Sequence, residues 1–196
     1  MPLENNIWEF NEVNQTIVDE LVQQLNTEEV IAQILVSRKI TSFNEAKQFF
    51  RPSDKDFLDP LSMDGMSLAI SRLKKAFEQE ENILIYGDYD VDGTCSVALL
   101  QHFSSHFSDN IYCYQPHREK EGYGISLMAI DWMKEKNIQL VIALDCGIKD
   151  FKAAKLMHEI GIDLIICDHH KPGNQLPIAK AILNPKAIIK NSIIDK

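Results

Sequence analysis

Ile83-Leu84-Ile85-Tyr86-Gly87-Asp88-Tyr89-Asp90-Val91-Asp92-Gly93 is an apolar run that breaks into alternating aspartates between two glycines. The apolar part, with Asn82 before it, is too short for a helix and reads as a strand over 82–86, buried on both faces. The same pattern recurs twice. Val141-Ile142-Ala143-Leu144 runs into Asp145-Cys146-Gly147, and Leu164-Ile165-Ile166-Cys167 runs into Asp168-His169-His170. In a parallel sheet, ligands bind beyond the carboxyl ends of the strands. Three strands therefore end on the residue types that bind cations.

Working outward, helical and strand periods alternate from about residue 65 onward. Helices are expected over 66–79, 94–107, 126–136 and 149–160, and strands over 82–86, 110–114, 139–144, 163–167 and 180–183. Alternating elements of this kind predict an α/β fold, a mostly parallel sheet with helices on both faces. Residues 1–60 read instead as a small helical N-terminal region and linker, ahead of a second domain over 61–196. Within it, 27–37 places Val30, Ile31, Ile34 and Leu35 on one helical face, with Thr27 able to cap it. Ser42-Phe43-Asn44-Glu45 is a capping box opening a helix through Phe50, which Arg51-Pro52 ends. Residues 52–60 read as a linker. The last ten residues, AIIKNSIIDK, read as a cut inside a larger protein, with a short terminal strand as the other reading.

The composition, 45% hydrophobic and 25% charged, is that of a globular protein. Neither a signal peptide nor a membrane-spanning run of about 18 apolar residues is visible, so a cytoplasmic protein is expected. Cys95, Cys113, Cys146 and Cys167 form no C-x-x-C pair, which argues against zinc; they are expected to be reduced, mostly buried thiols. A net charge of −9 argues, taken alone, against a surface that grips nucleic acid by its phosphates.

Each acidic cluster has an ordinary reading. The first could be a solvated acidic turn or a calcium loop. An EF-hand, though, needs glutamate at loop position 12, and counting from Asp88 that position is Leu99. If the segment stays extended, its alternating carboxylates point to one side, with Gly87 and Gly93 letting the backbone bend around them. Asp145 could cap the next helix, and His169 and His170 could be surface residues. The joint arrangement favours another account. Carboxylates and imidazoles gathered at one sheet edge repel unless cations neutralise them, and they suit ions such as manganese. Two divalent ions about 3.5–4 Å apart, bridged by a shared carboxylate, would activate a water and stabilise a phosphate transition state.

GDYDVDG (87–93), DCGI (145–148) and DHHKPG (168–173), in this order and each after an apolar strand, resemble motifs I, II and III of the DHH phosphoesterase superfamily. FLDPLSMDGMSLAISRLKKAF (57–77) resembles the segment leading into motif I, and PHREKEGYG (116–124) a P-x-R-x-x-E-G-Y-G element of the superfamily's single-strand-specific exonucleases. The stretch 168–186 follows their extended motif III, so that the resemblance covers roughly 55–186.

The resemblance implies Asp90 and Asp92 as metal ligands, Asp88 as a ligand or its support, Asp145 as the bridging carboxylate and His169 as the metal-binding histidine. Asp168 would orient a histidine, His170 would face the scissile phosphate, and Arg118 would grip phosphate through its guanidinium. Tyr123 is left open between packing and stacking on a base. The cofactors implied are two Mn²⁺ or Mg²⁺ ions. The activity implied is 5′–3′ hydrolysis of single-stranded DNA in recombination and repair, with a helicase or a single-strand-binding protein as partner. The family's fourth motif, with a further metal-ligating aspartate, is expected downstream of this chain. Further domains would then supply most of the DNA grip, and bound metals would offset the acidic core. Two other readings stand beside this one: a relative acting on oligoribonucleotides or cyclic dinucleotides, and a non-catalytic replication scaffold.

Overall fold

A computed structural model describes residues 11–187. The chain separates into two compact units, Met1–Leu58 and Asp59–Lys196.

In the first unit, helices α1 (Gln15–Leu25), α2 (Glu29–Ser37) and α3 (Phe43–Phe50) enclose a small core of Val18, Leu21, Ala32, Leu35 and Ala46. Asn14 caps α1, its side chain accepting from the Thr16 amide at 3.0 Å. The expected capping box is formed: the Glu45 amide donates to Ser42 Oγ at 3.3 Å and the Ser42 amide to Glu45 Oε2 at 3.0 Å. Two details of α2 differ from expectation. Thr27 does not cap it; Glu28 occupies that position, without a side-chain bond. Its buried stripe is Ala32 and Leu35, whereas Val30, Ile31 and Ile34 are exposed. A nine-residue helix this rich in apolar side chains offers several faces, and the one bearing the small Ala32 packs closest to its neighbours. The 52–60 stretch is also more ordered than a plain linker. A 3₁₀ turn over Asp54–Asp56 is closed by the Asp56 carboxylate on Ser53, and another follows at Pro60–Ser62.

The second unit is a five-stranded, wholly parallel sheet of β1 (Ile83–Gly87), β2 (Ile111–Tyr114), β3 (Leu140–Leu144), β4 (Asp163–Cys167) and β5 (Ala181–Leu183). Helices α4 (Met66–Glu78) and α5 (Val91–Ser104) pack on one face, against Ile83, Ile85, Leu140, Ile142 and Ile165. Helices α6 (Leu127–Glu135) and α7 (Phe151–Glu159) cover the other, against Leu84, Tyr86, Val141, Ala143 and Ile166. Both faces are dry, which is why the strands are continuous apolar runs. Arg72 of α4 ties its helix to the opening end of β4, 2.6 Å from both Glu81 and Asp163.

Strand order is β2-β1-β3-β4-β5. The chain leaves β1 for one edge, then returns past β1 to build β3, β4 and β5 on its other side. The order thus reverses between β1 and β3, and this switch point opens a crevice beyond the carboxyl ends of those two strands.

Helix α5 begins at Val91 rather than at Thr94. Asp90 is its N-cap, Oδ1 accepting from the Gly93 amide at 3.0 Å, so the segment does not stay extended through its third aspartate. Nor do the two glycines serve sharp bends, because neither has a positive φ. They serve close packing. A Cβ on Gly93 would lie 2.4 Å from the Asp88 carbonyl oxygen, and one on Gly87 would lie 2.9 Å from the Gly93 carbonyl oxygen. The first turn of α5 rests directly on the end of β1. The cysteines also depart from expectation: Cys146 is buried and Cys167 half-buried, but Cys95 and Cys113 are exposed. Cys113 lies on the edge strand β2, which is covered less completely than the central strands. Among the described residues, no helix is long and apolar enough to cross a membrane.

Candidate metal centre

The sheet delivers the expected residues to the switch-point crevice from three strands. Asp88 follows β1, Asp90 and Asp92 open α5, Asp145 follows β3, and Asp168, His169 and His170 follow β4. A cleft of about 500 Å³ is lined by Asp92, Asp145, Asp168 and His169, with Cys95 and Leu183 among its walls. Asp145, His169 and His170 each offer a ligand atom within 4.8 Å of the others. Asp145 Oδ1 stands 3.1 Å from His169 Nε2.

Asp145 is not a helix cap. It sits in the left-handed region, φ 60°, and its amide donates to the Cys167 carbonyl at 2.9 Å. That bond continues the β3–β4 pairing one residue past the strands and turns the carboxylate toward His169.

The carboxylates are not equivalent. Burial pushes the Asp88 carboxyl upward, and the neighbouring Asp90 adds to the rise. Asp145 is raised in the same way, by burial first and by Asp90 next. For Asp168, burial also acts upward but is outweighed: bonds from the His170 amide (2.9 Å), the Ile148 amide (3.0 Å) and the His170 ring (2.7 Å) hold it below the ordinary carboxylate range. Asp168 therefore has its partners. Asp88 does not: it is 2% exposed, and its Oδ1 is buried without a hydrogen-bond partner. A buried carboxylate oxygen with no donor, beside further acids, is the environment a bound cation completes. The donor set of carboxylates with an imidazole fits Mn²⁺ or Mg²⁺.

Arg118, expected to grip phosphate, lies at the same crevice. Its guanidinium carbon stands 5.0 Å above the Tyr89 ring, and its charge acts on Asp88. Three supporting residues have no role assigned from the sequence, although Glu121 belongs to the 116–124 element. The Tyr86 hydroxyl donates to the Gly124 carbonyl at 2.9 Å and accepts from the Ser126 amide at 3.0 Å. Asp150 Oδ2 accepts from the Ile125 amide at 2.8 Å. Glu121 accepts from the His117 amide and the Tyr114 hydroxyl, each at 2.8 Å. Asp150 falls inside the helix expected over 149–160, so no sequence signal reveals its bond to Ile125.

Residues 82–192 match the model of the DHH family, N-terminal domain. The chain belongs to the DHH family. In this DHH chain the three motifs occupy the ends of β1, β3 and β4. Its curated relatives include the single-stranded-DNA-specific exonuclease RecJ of Bacillus subtilis (strain 168), 41% identical over 179 residues, covering 91% of this chain and 23% of that protein. RecJ of Escherichia coli (strain K12) is 32% identical over 157 residues, covering 80% of this chain and 26% of that protein. The chain thus spans about a quarter of the length of the curated relatives it matches. Among solved structures, exonuclease RecJ bound to manganese is 29% identical with a TM-score of 0.62, covering 69% of this chain and 35% of that one. RecJ from Thermus thermophilus in complex with Mn²⁺, at 23% identity and a TM-score of 0.61, shares the fold, with 88% of this chain and 24% of that chain covered.

Proposed function

We propose that this DHH chain carries the metal-binding core of an exonuclease that hydrolyses phosphodiester bonds of single-stranded DNA from the 5′ end. The observation that carries the reading is the crevice itself: an unpartnered, buried Asp88 oxygen beside Asp90, with Asp145 and His169 3.1 Å apart beyond the ends of β3 and β4. Asp88, Asp90, Asp92, Asp145 and His169 would hold two Mn²⁺ or Mg²⁺ ions. Asp90 keeps one carboxylate oxygen for this, because only Oδ1 is engaged by Gly93. Bound ions of this kind lower the pKa of a coordinated water and offset charge on the phosphate and the leaving 3′-oxygen.

The chain's own residues do the rest. Asp168 takes His170 Nδ1 at 2.7 Å, which fixes the ring and leaves Nε2, 3.4 Å from the Tyr123 hydroxyl, as the nitrogen that would bond the scissile phosphate. Arg118 holds a neighbouring phosphate through its guanidinium, and its position over Tyr89 sets the direction of approach. The acidic net charge is consistent with this role, since divalent ions neutralise the core. DNA grip beyond the crevice, a cytoplasmic setting, and cooperation with a helicase or a single-strand-binding protein belong to the same reading. The RecJ relatives support DNA as substrate over oligoribonucleotides or cyclic dinucleotides, and the retained motif acids support catalysis over a scaffold role.

The test is Mn²⁺-dependent release of nucleotides from 5′-phosphorylated single strands by the intact protein, with duplex and oligoribonucleotide substrates alongside. Asp90→Ala and Asp145→Ala should each remove the activity. Full activity in both variants would refute the site assignment.

A further inference from the structure

Tyr123 has no role in the reading above, yet its hydroxyl touches two of the site residues. It donates to the main-chain oxygen of Asp145 at 3.2 Å and lies 3.1 Å from Nδ1 of His170. Those two residues leave different strands, β3 and β4, so one phenol spans both. Its ring meets His170 edge-on, centroids 5.6 Å apart, and Tyr89 likewise at 6.5 Å.

The Asp145 end of this bridge needs holding. A non-glycine residue in the left-handed region is strained by on the order of 1–3 kcal/mol and persists only where its surroundings fix it. The Cys167 carbonyl fixes the amide of Asp145, and Tyr123 fixes its carbonyl. The His170 end is also defined. Asp168 occupies Nδ1, and the Tyr123 hydroxyl lies against the ring within 3.1 Å of Nδ1 and 3.4 Å of Nε2, opposing its rotation.

The loop that delivers Tyr123 is stiff. Gly122 and Gly124 flank it at φ 80° and 87°. The buried Tyr86 hydroxyl takes the Gly124 carbonyl, Asp150 takes the Ile125 amide, and a Cβ on Gly124 would meet Asp150 Oδ1 at 2.6 Å. A tyrosine serving only to stack on a base would need a free ring face but no committed hydroxyl. Here the hydroxyl is committed to the Asp145 carbonyl and packed against the His170 ring.

We propose that Tyr123 is a positioning residue, whose hydroxyl sets the separation and angle between the Asp145 carboxylate and the His170 imidazole. The proposal rests on the exonuclease reading for its kinetic consequence, but not for its consequence on metal binding. Groups that orient metal ligands typically contribute about 10–100-fold to affinity or activity.

The experiment compares the intact wild-type protein with Tyr123→Phe and Tyr123→Leu. It measures kcat and KM on single strands, Mn²⁺ affinity by calorimetry, and thermal stability without metal. Phenylalanine keeps the edge-on ring contacts and loses only the hydroxyl. The expected result is a fall of about tenfold or more in both kcat and Mn²⁺ affinity for Phe and Leu alike, with KM of the Phe variant and its metal-free stability near wild type. A Phe variant with wild-type kcat and Mn²⁺ affinity, beside a Leu variant raised in KM or lowered in stability, would overturn the proposal in favour of stacking or packing. If the wild type cleaves no single-stranded DNA, the exonuclease reading fails, and the calorimetric comparison still decides the positioning role.

Discussion

Asp145 Oδ1 and His169 Nε2 stand 3.1 Å apart although the two residues follow different strands and lie far apart in the chain. Parallel pairing produces this meeting. β3 and β4 run in register from Leu140 opposite Asp163 to Leu144 opposite Cys167, so the residues just beyond each strand emerge at the same level of the sheet. β1 pairs with β3 in the same way, Gly87 opposite Leu144, which brings the first aspartates to that level too. The site is a consequence of register at a topological switch point.

Asp88→Asn separates the metal's contribution from the fold's. The wild-type carboxyl is buried, raised by its surroundings and lacks a partner on Oδ1. An amide of the same shape removes the charge. In metal-free solution the variant should therefore be as stable as wild type or more so, by thermal denaturation. Adding Mn²⁺ should stabilise wild type by about 2.7 kcal/mol at a hundredfold excess over Kd, and the variant much less. A variant stabilised equally by Mn²⁺ would remove Asp88 from the centre.

Gly93→Ala should be among the most damaging single-methyl changes in the chain. The added Cβ would lie 2.4 Å from the Asp88 oxygen and 2.7 Å from its nitrogen, both backbone atoms unable to rotate aside. We expect a loss of about 3 kcal/mol or more, at the upper end of overpacking costs, together with displacement of Asp90 and Asp92. Gly122→Ala is the control: a Cβ there meets nothing within 4 Å, so it bears only the strain of its positive φ. Equal stability losses for the two variants would contradict close packing as the role of Gly93.

Glu121 gives a pH signature away from the metal ligands. Burial pushes its carboxyl up, but bonds from the His117 amide and the Tyr114 hydroxyl help outweigh burial and hold it below its ordinary value. A carboxyl depressed on folding contributes stability that is present above its unfolded pKa, about 4.3, and is lost as pH falls through the folded pKa. The stability difference between wild type and Glu121→Gln should thus be constant near neutrality and shrink on acidification below about pH 4.3. A difference that grows on acidification would reverse the sign of this assignment.

Much of this arrangement is legible in the sequence, because each strand is a continuous apolar run and each acidic cluster stands directly after one. What is not legible depends on contacts between distant residues or on competition between local ones. The alternating aspartates at 88, 90 and 92 suggest an extended segment, but the Asp90 side chain captures the Gly93 amide and starts a helix there. Helix α2 carries apolar residues at 30, 31, 34, 35 and 36, and only its packing selects Ala32 and Leu35 as the buried face. The bonds of Tyr86 to Gly124 and Asp150 to Ile125 cross 38 and 25 residues, and no local pattern announces them. Tyr123 is ambiguous in the sequence for the same reason, since its partners follow two different strands.

The central claim is that the crevice between β1 and β3 binds divalent metal through carboxylates from both strands. Asp145→Asn tests it most directly, because asparagine accepts the left-handed backbone of that position while removing the charge. Calorimetric titration of Mn²⁺ into wild type and variant should show binding to wild type and affinity at least about tenfold weaker in the variant, with the two proteins equally folded by circular dichroism. Equal Mn²⁺ affinity in wild type and Asp145→Asn would contradict the account.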